Sequence, residues 1–194
     1  MNRREAIERT AMILGYAVSA PAMMGVLKGC KAAPELNYKP VFLTVEQART
    51  VGEVAEIIIP KTDTPGAKDA GVPAFIDSML MEVYPQEDKD RFLAGLLEFE
   101  QQATKMYGDP FIDLDPGKQA EWVKKVHDAA IGAYKKADEE TKKKKPFILM
   151  TKELTMLGFF TSEPGATQVL QYNPVPGAYH GCLPLAEVGK TWAT

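Results

Sequence analysis

Covalent catalysis requires a Ser or Cys within reach of a base, and a third group to orient that base. Beyond residue 30 the sequence offers Ser78, Ser162 and Cys182 as nucleophiles, and His127 and His180 as bases. His180 and Cys182 stand two apart in a glycine-flanked stretch, YNPVPGAYHGC, residues 172–182. A thiolate–imidazole pair is one reading of them; an exposed loop histidine beside an unpaired thiol is the plainer one. His127 follows Val126 on a helical stretch, at a surface or boundary position. Zinc or iron needs three or four thiolate or imidazole ligands. Two histidines and the one cysteine beyond residue 30 supply that number only with carboxylates at irregular spacing. Asp113 and Asp115 stand beside Pro116, where helix capping explains them better than paired acid–base chemistry. No Gly-x-Gly-x-x-Gly follows a strand, and neither a Gly-Lys-Ser/Thr loop nor a Cys-x-x-Cys-His run is present. The expectation is a chain with no catalytic, cofactor-binding or metal-ligating residue of its own.

Charge narrows the partners. Arg3, Arg4, Arg9 and Lys28 against Glu5 and Glu8 give the first thirty residues +2, so the remainder carries −5 of the total −3. A mildly acidic body does not suit nucleic acid, whose affinity comes from clustered Lys and Arg. The one cluster, Lys142, Lys143, Lys144 and Lys145, follows Asp138, Glu139 and Glu140 and reads as a solvated helix end.

The first thirty residues read as an address. Arg3 and Arg4 precede an uncharged stretch, residues 11–27, that contains Gly15, Pro21 and Gly25. A basic head followed by a short apolar run is the layout of an export signal, and paired arginines point to the twin-arginine route. The signal ends in LKGC, residues 27–30, which resembles the lipobox of bacterial lipoproteins and makes Cys30 the candidate lipidation site. Residues 31–43, rich in Pro and small side chains at their start, read as a tether. The expected location is the periplasm, with the chain held at a membrane through Cys30.

The elements that would position any site are helices. Thr44 with Gln47 forms a capping box, after which Val45, Ala48, Val51, Ala55, Ile58 and Ile59 mark one face as far as Pro60. A turn-rich loop leads to a second helix from about Val72–Pro73, with Phe75, Ile76, Met79, Leu80 and Val83 inward. A third runs from about Glu87 to Met106, on a stripe of Phe92, Leu93, Leu96, Leu97, Phe99 and Ala103. Asp115 and Pro116 open a fourth that carries Trp122, Val123, Val126, Ala129, Ala130 and Ala133 to about Lys143. The segment after Pro146 makes a fifth, ending near Thr161. The methionines fall mostly at core-like positions or in the signal. The predicted fold is all-α: an irregular bundle of about five helices in one domain, residues 44–194, with a long loop-like tail from about residue 165.

Loops of that length are usually functional. Pro174, Pro176 and Gly177 hold a defined irregular path, while Tyr172, Tyr179 and Trp192 are side-chain types that dominate interface hot spots. The tail is either a docking surface or a strap packed on its own bundle. Cys182 is left without a partner once Cys30 is lipidated or removed, which suggests an intermolecular disulfide or a sheltered thiol.

Two runs carry a family resemblance: Ile-Pro-Lys-Thr-Asp-Thr-Pro-Gly-Ala from Ile59, and Val-Pro-Gly-Ala-Tyr-His-Gly-Cys from Val175. With the segments around them they resemble the gluconate 2-dehydrogenase subunit 3 family, over nearly all of the chain from about Leu43. The resemblance implies a non-catalytic small subunit that accompanies a large FAD-dependent dehydrogenase of the glucose–methanol–choline type. That partner holds the FAD, and a c-type cytochrome is a further candidate partner. The small subunit would serve export, maturation and anchoring of the flavoprotein. A free-standing lipoprotein with a binding or scaffolding role is the alternative.

Overall fold

The computed structural model describes residues 36–175, 177, 178 and 181–193; all belong to one compact unit that starts at Leu36. Arg3, Arg4, Cys30, Pro176, Tyr179 and His180 lie outside the described residues, so the signal, the lipobox and part of the tail motif do too. The fold is all-α, with five helices of at least seven residues and no sheet among the described residues. These are α1 (Val45–Ile58), α2 (Val72–Glu82), α3 (Gln86–Tyr107), α4 (Pro116–Lys136) and α6 (Phe147–Thr161); a short α5 (Glu139–Lys143) lies between the last two. After α6 come a π-type turn (Gly165–Val169) and a four-residue α7 (Leu185–Val188).

Local chemistry sets most of the boundaries. At α1 both arms of the capping box form: the Gln47 amide donates to Thr44 Oγ1 at 3.2 Å, and the Thr44 amide to Gln47 Oε1 at 3.0 Å. Gly71 and Gly108 adopt left-handed backbone, with φ of 72° and 85°, immediately before α2 and after α3. Asp115 caps α4 by accepting from the Lys118 amide at 3.0 Å, a bond that holds its carboxyl below the ordinary range. Instead of running to Lys143, α4 stops at Lys136, because Ala137 is extended and Asp138 caps a new helix through Thr141.

Helix α6 is the hub, touching α1, α2, α3 and α4. Phe147, Ile148, Leu149, Met150, Leu154 and Phe159 are all buried along it. Around Phe147 an aromatic cluster forms, with Phe92 at 5.0 Å and Phe99 at 5.5 Å between ring centroids. Phe99 continues the contact chain to Phe111 at 4.9 Å and to Trp122 at 5.8 Å. Two glycines allow the close packing: a Cβ on Gly158 or on Gly95 would lie 2.6 Å from Phe75 or from Phe147.

The inward faces differ from the sequence pattern at their edges. Val54 is buried, whereas Val45, Val83 and Leu97 are exposed. Val45 and Val83 sit at helix ends, where the apolar stripe runs past the core, and Leu97 is one step around α3 from buried Leu96. Ala129 and Ala133 are also exposed; Val126 and Ala130 of the expected face do pack against the core, joined by Tyr134. Met81, Met106 and Met156 are exposed rather than core.

Residues 36–43, expected as the end of a tether, are bound to the bundle. Asp77, buried within α2, accepts from the Val41, Phe42 and Leu43 amides at 2.6, 3.1 and 2.7 Å. A buried carboxylate is tolerated because three donors replace its hydration. Nearby, the Tyr38 hydroxyl donates to the Pro73 carbonyl at 3.1 Å. Burial, reinforced by the Asp77 carboxylate, pushes the Tyr38 phenol up to about 12.

Asp77→Ala is expected to cost about 2–4 kcal/mol, because three amides lose a charged acceptor. Urea unfolding checks the magnitude, and limited proteolysis should show residues 36–43 newly cleavable. The raised Tyr38 pKa stabilises the fold fully below the ordinary phenol value of 10, and that contribution fades as pH rises through about 12. Tyr38→Phe should therefore flatten part of the alkaline decline in thermal stability.

Candidate functional site

The tail is a closed loop rather than a free end. At its base Gln171 forms an isolated parallel bridge with Trp192. The Gln171 amide donates to the Thr191 carbonyl at 2.9 Å, and the Ala193 amide donates to the Gln171 carbonyl at 2.7 Å. The side-chain Nε2 of Gln171 donates to the Val188 and Lys190 carbonyls. One residue thus places both backbone groups and both side-chain amide hydrogens on the returning strand of chain. Lys190 adds a bond from its Nζ to the Gln168 carbonyl at 3.2 Å. Gly189, with φ of 74°, makes the left-handed turn that brings this segment back.

Held at its base, the loop leaves its apolar side chains uncovered. Tyr172 is 58 % exposed, Trp192 50 % and Val175 81 %. Pro174, Gly177 and Cys182 are exposed too. Cys182 is a free thiol on the surface, without cover from the described residues. Tyr172 and Trp192 are thus each about half exposed and lie open to solvent. Of the expected docking residues, Trp192 is itself one half of the bridge at the loop base, and Tyr172 directly follows the other half, Gln171.

Sequence reasoning missed an exposed apolar surface on α6. Met156, Leu157 and Phe160 are exposed on one side of α6, within a single helical turn. Phe160 stacks edge-on against buried Phe159, at 5.3 Å between centroids, which fixes its outward ring. Lys152 and Glu153, the two charged residues of α6, stand one turn earlier on the same face, and their spacing is the sequence signal that could have marked it as open. Leu183 adds a further exposed apolar side chain in the tail. Clustered apolar exposure of this kind marks an interaction surface more often than a bare surface.

The other motif, the run from Ile59, builds a rigid loop. Glu56 accepts from the Lys61 and Lys68 amides at 3.0 and 2.8 Å, and the Ala67 amide donates to the Ile59 carbonyl at 2.9 Å. Lys61 pairs with Asp69 at 2.8 Å. A Cβ on Gly66 would lie 2.6 Å from the Lys61 nitrogen, so this glycine is required by close approach. Among the described residues no group of three or more His, Cys, Asp or Glu side chains could hold a metal ion. Nor is any helix among them long and apolar enough to cross a membrane.

With this geometry in view, residues 45–177 match the profile of the family described as gluconate 2-dehydrogenase subunit 3. Neither a curated protein nor a solved structure matches the chain.

Gln171→Ala should open the base of the loop while leaving the bundle intact. Protease cleavage between residues 172 and 191 is expected to speed up by about tenfold, with global stability changed by less than about 1 kcal/mol. Timed digestion followed by mass spectrometry, beside a urea unfolding curve, measures both.

Proposed function

The chain belongs to the gluconate 2-dehydrogenase subunit 3 family, and from that premise we propose a finer role for it. It is an accessory subunit of a dehydrogenase complex. In the proposed role it docks a large FAD-dependent subunit of the glucose–methanol–choline type and escorts that subunit through the twin-arginine route. Lipidation of Cys30 would then hold the complex at a membrane on the periplasmic side. FAD and the reacting atoms belong to the partner in this reading. A c-type cytochrome would be a further component that takes up electrons.

The observation that carries the proposal is the cinched, uncovered loop. A docking segment binds tightly when its shape is set before contact, because less conformational entropy is lost on association. Gln171 sets that shape, and the aromatic side chains beside it remain available. Tyr and Trp at the centre of a patch give the largest losses on truncation. The exposed stripe of Met156, Leu157 and Phe160 supplies additional apolar area on α6, two elements before the loop closes. Cys182, exposed on the same loop, would be covered by the partner or bonded to it.

Tyr172→Ala combined with Trp192→Ala is expected to weaken association with the proposed flavoprotein partner by about 30-fold or more, which corresponds to roughly 2 kcal/mol. Calorimetric titration of the two purified subunits measures it. Undiminished affinity would remove the loop from the interface. The escort role is checked separately, by fractionating cells that express the flavoprotein with and without this chain; equal periplasmic yield would end that part of the reading.

A further inference from the structure

A groove of about 250 Å³ opens between the end of α1, the middle of α4 and the first half of α6, and no tail residue lines it. Its floor is hydrocarbon, made by Ile57, Ile58, Val123 and Ile148. Its rim is cationic. Lys124 and Lys152 both border the groove, and neither forms an ion pair with a carboxylate among the described residues.

Lys152 has an unusual neighbour instead: its Nζ lies 3.0 Å from His127 Nε2. An ammonium can only donate, so Nε2 accepts and the imidazole proton sits on Nδ1, facing Asp128 Oδ1 at 3.2 Å. Asp128 is thereby engaged with the imidazole, and the ammonium of Lys152 keeps two further hydrogens for another acceptor. Two ammonium groups without carboxylate partners border an apolar floor, on a chain whose body is otherwise net acidic.

We propose that this groove binds a short aliphatic monocarboxylate, with the hydrocarbon chain on the branched floor and the carboxylate between Lys124 and Lys152. Size sets the first limit, since pockets for drug-sized ligands span about 300–1,000 Å³. Chemistry sets the second. A polyhydroxylated acid would press its hydroxyls against isoleucine and valine without hydrogen-bond partners, at a desolvation cost. An inorganic anion would gain nothing from the floor. A neutral alkyl chain would leave both ammonium groups as they are. Only a ligand that joins a hydrocarbon chain to one anionic end satisfies both halves. This site is independent of the docking loop, so either reading can fail without the other.

The test is a titration of the full chain with octanoate, followed by methyl resonances of isoleucine and valine, against octanol and acetate as the tail and the charge alone. Saturable shifts at Ile57, Ile58, Val123 and Ile148 are expected, with a roughly millimolar dissociation constant for a ligand of this size. Octanol and acetate should each bind at least about tenfold more weakly. Lys124→Gln with Lys152→Gln should weaken octanoate about tenfold and leave octanol unchanged. Lys124→Glu alone, at an exposed position, gives the same comparison if the double variant fails to fold. No saturable methyl shift, or octanol binding as well as octanoate, would overturn the proposal. So would octanoate affinity indifferent to the lysine substitutions.

Discussion

A helix that is apolar on almost every side is stable only when something surrounds it, and α6 imposes that requirement on the whole molecule. Four helices gather around it. Its Phe147 organises the aromatic cluster, and glycines at positions 95 and 158 let neighbours approach to contact. Burial of each large side chain contributes roughly 1.5–3 kcal/mol, so this one element supplies a large share of the hydrophobic stabilisation. Near its C-terminal end, however, the chain does not complete the enclosure. Met156, Leu157 and Phe160 face outward there. The demand that builds the bundle is thus left partly unmet near the end of α6, and under the proposed role a partner subunit would meet it.

What was legible in the sequence was local. Thr44 with Gln47, Asp115 with Pro116, and the glycines after turns act within a few residues, and they fall where their chemistry puts them. Helix faces were readable at their centres, as at Ala48, Val51, Ile76, Leu80, Phe92 and Leu96. They were not readable at their margins, because periodicity gives a direction without saying how far the core extends. Val45 and Val83 show this.

The residues that fix the non-helical chain were hidden for a different reason. Asp77 accepts from amides about 35 positions earlier, and Gln171 bonds carbonyls 17 and 19 positions later. A carboxylate or an amide in isolation carries no sign of such a distant partner. Lys124, His127 and Lys152 meet only because α4 and α6 pack together. The aromatic residues of the tail could be picked out by type, whereas the glutamine that presents them could not.

The clamp at Asp77 has a mechanical consequence for attachment to a bilayer. Because residues 41–43 are fixed to α2 and Leu36 already belongs to the folded unit, only residues 31–35 separate it from an acylated Cys30 under the proposed lipidation. Even fully stretched, the six residue steps from Cys30 to Leu36 reach only about 20–22 Å. If the proposed lipidation and docking both hold, so short a leash would keep the bundle close to the headgroups and would confine a bound flavoprotein to a thin shell where its local concentration is high.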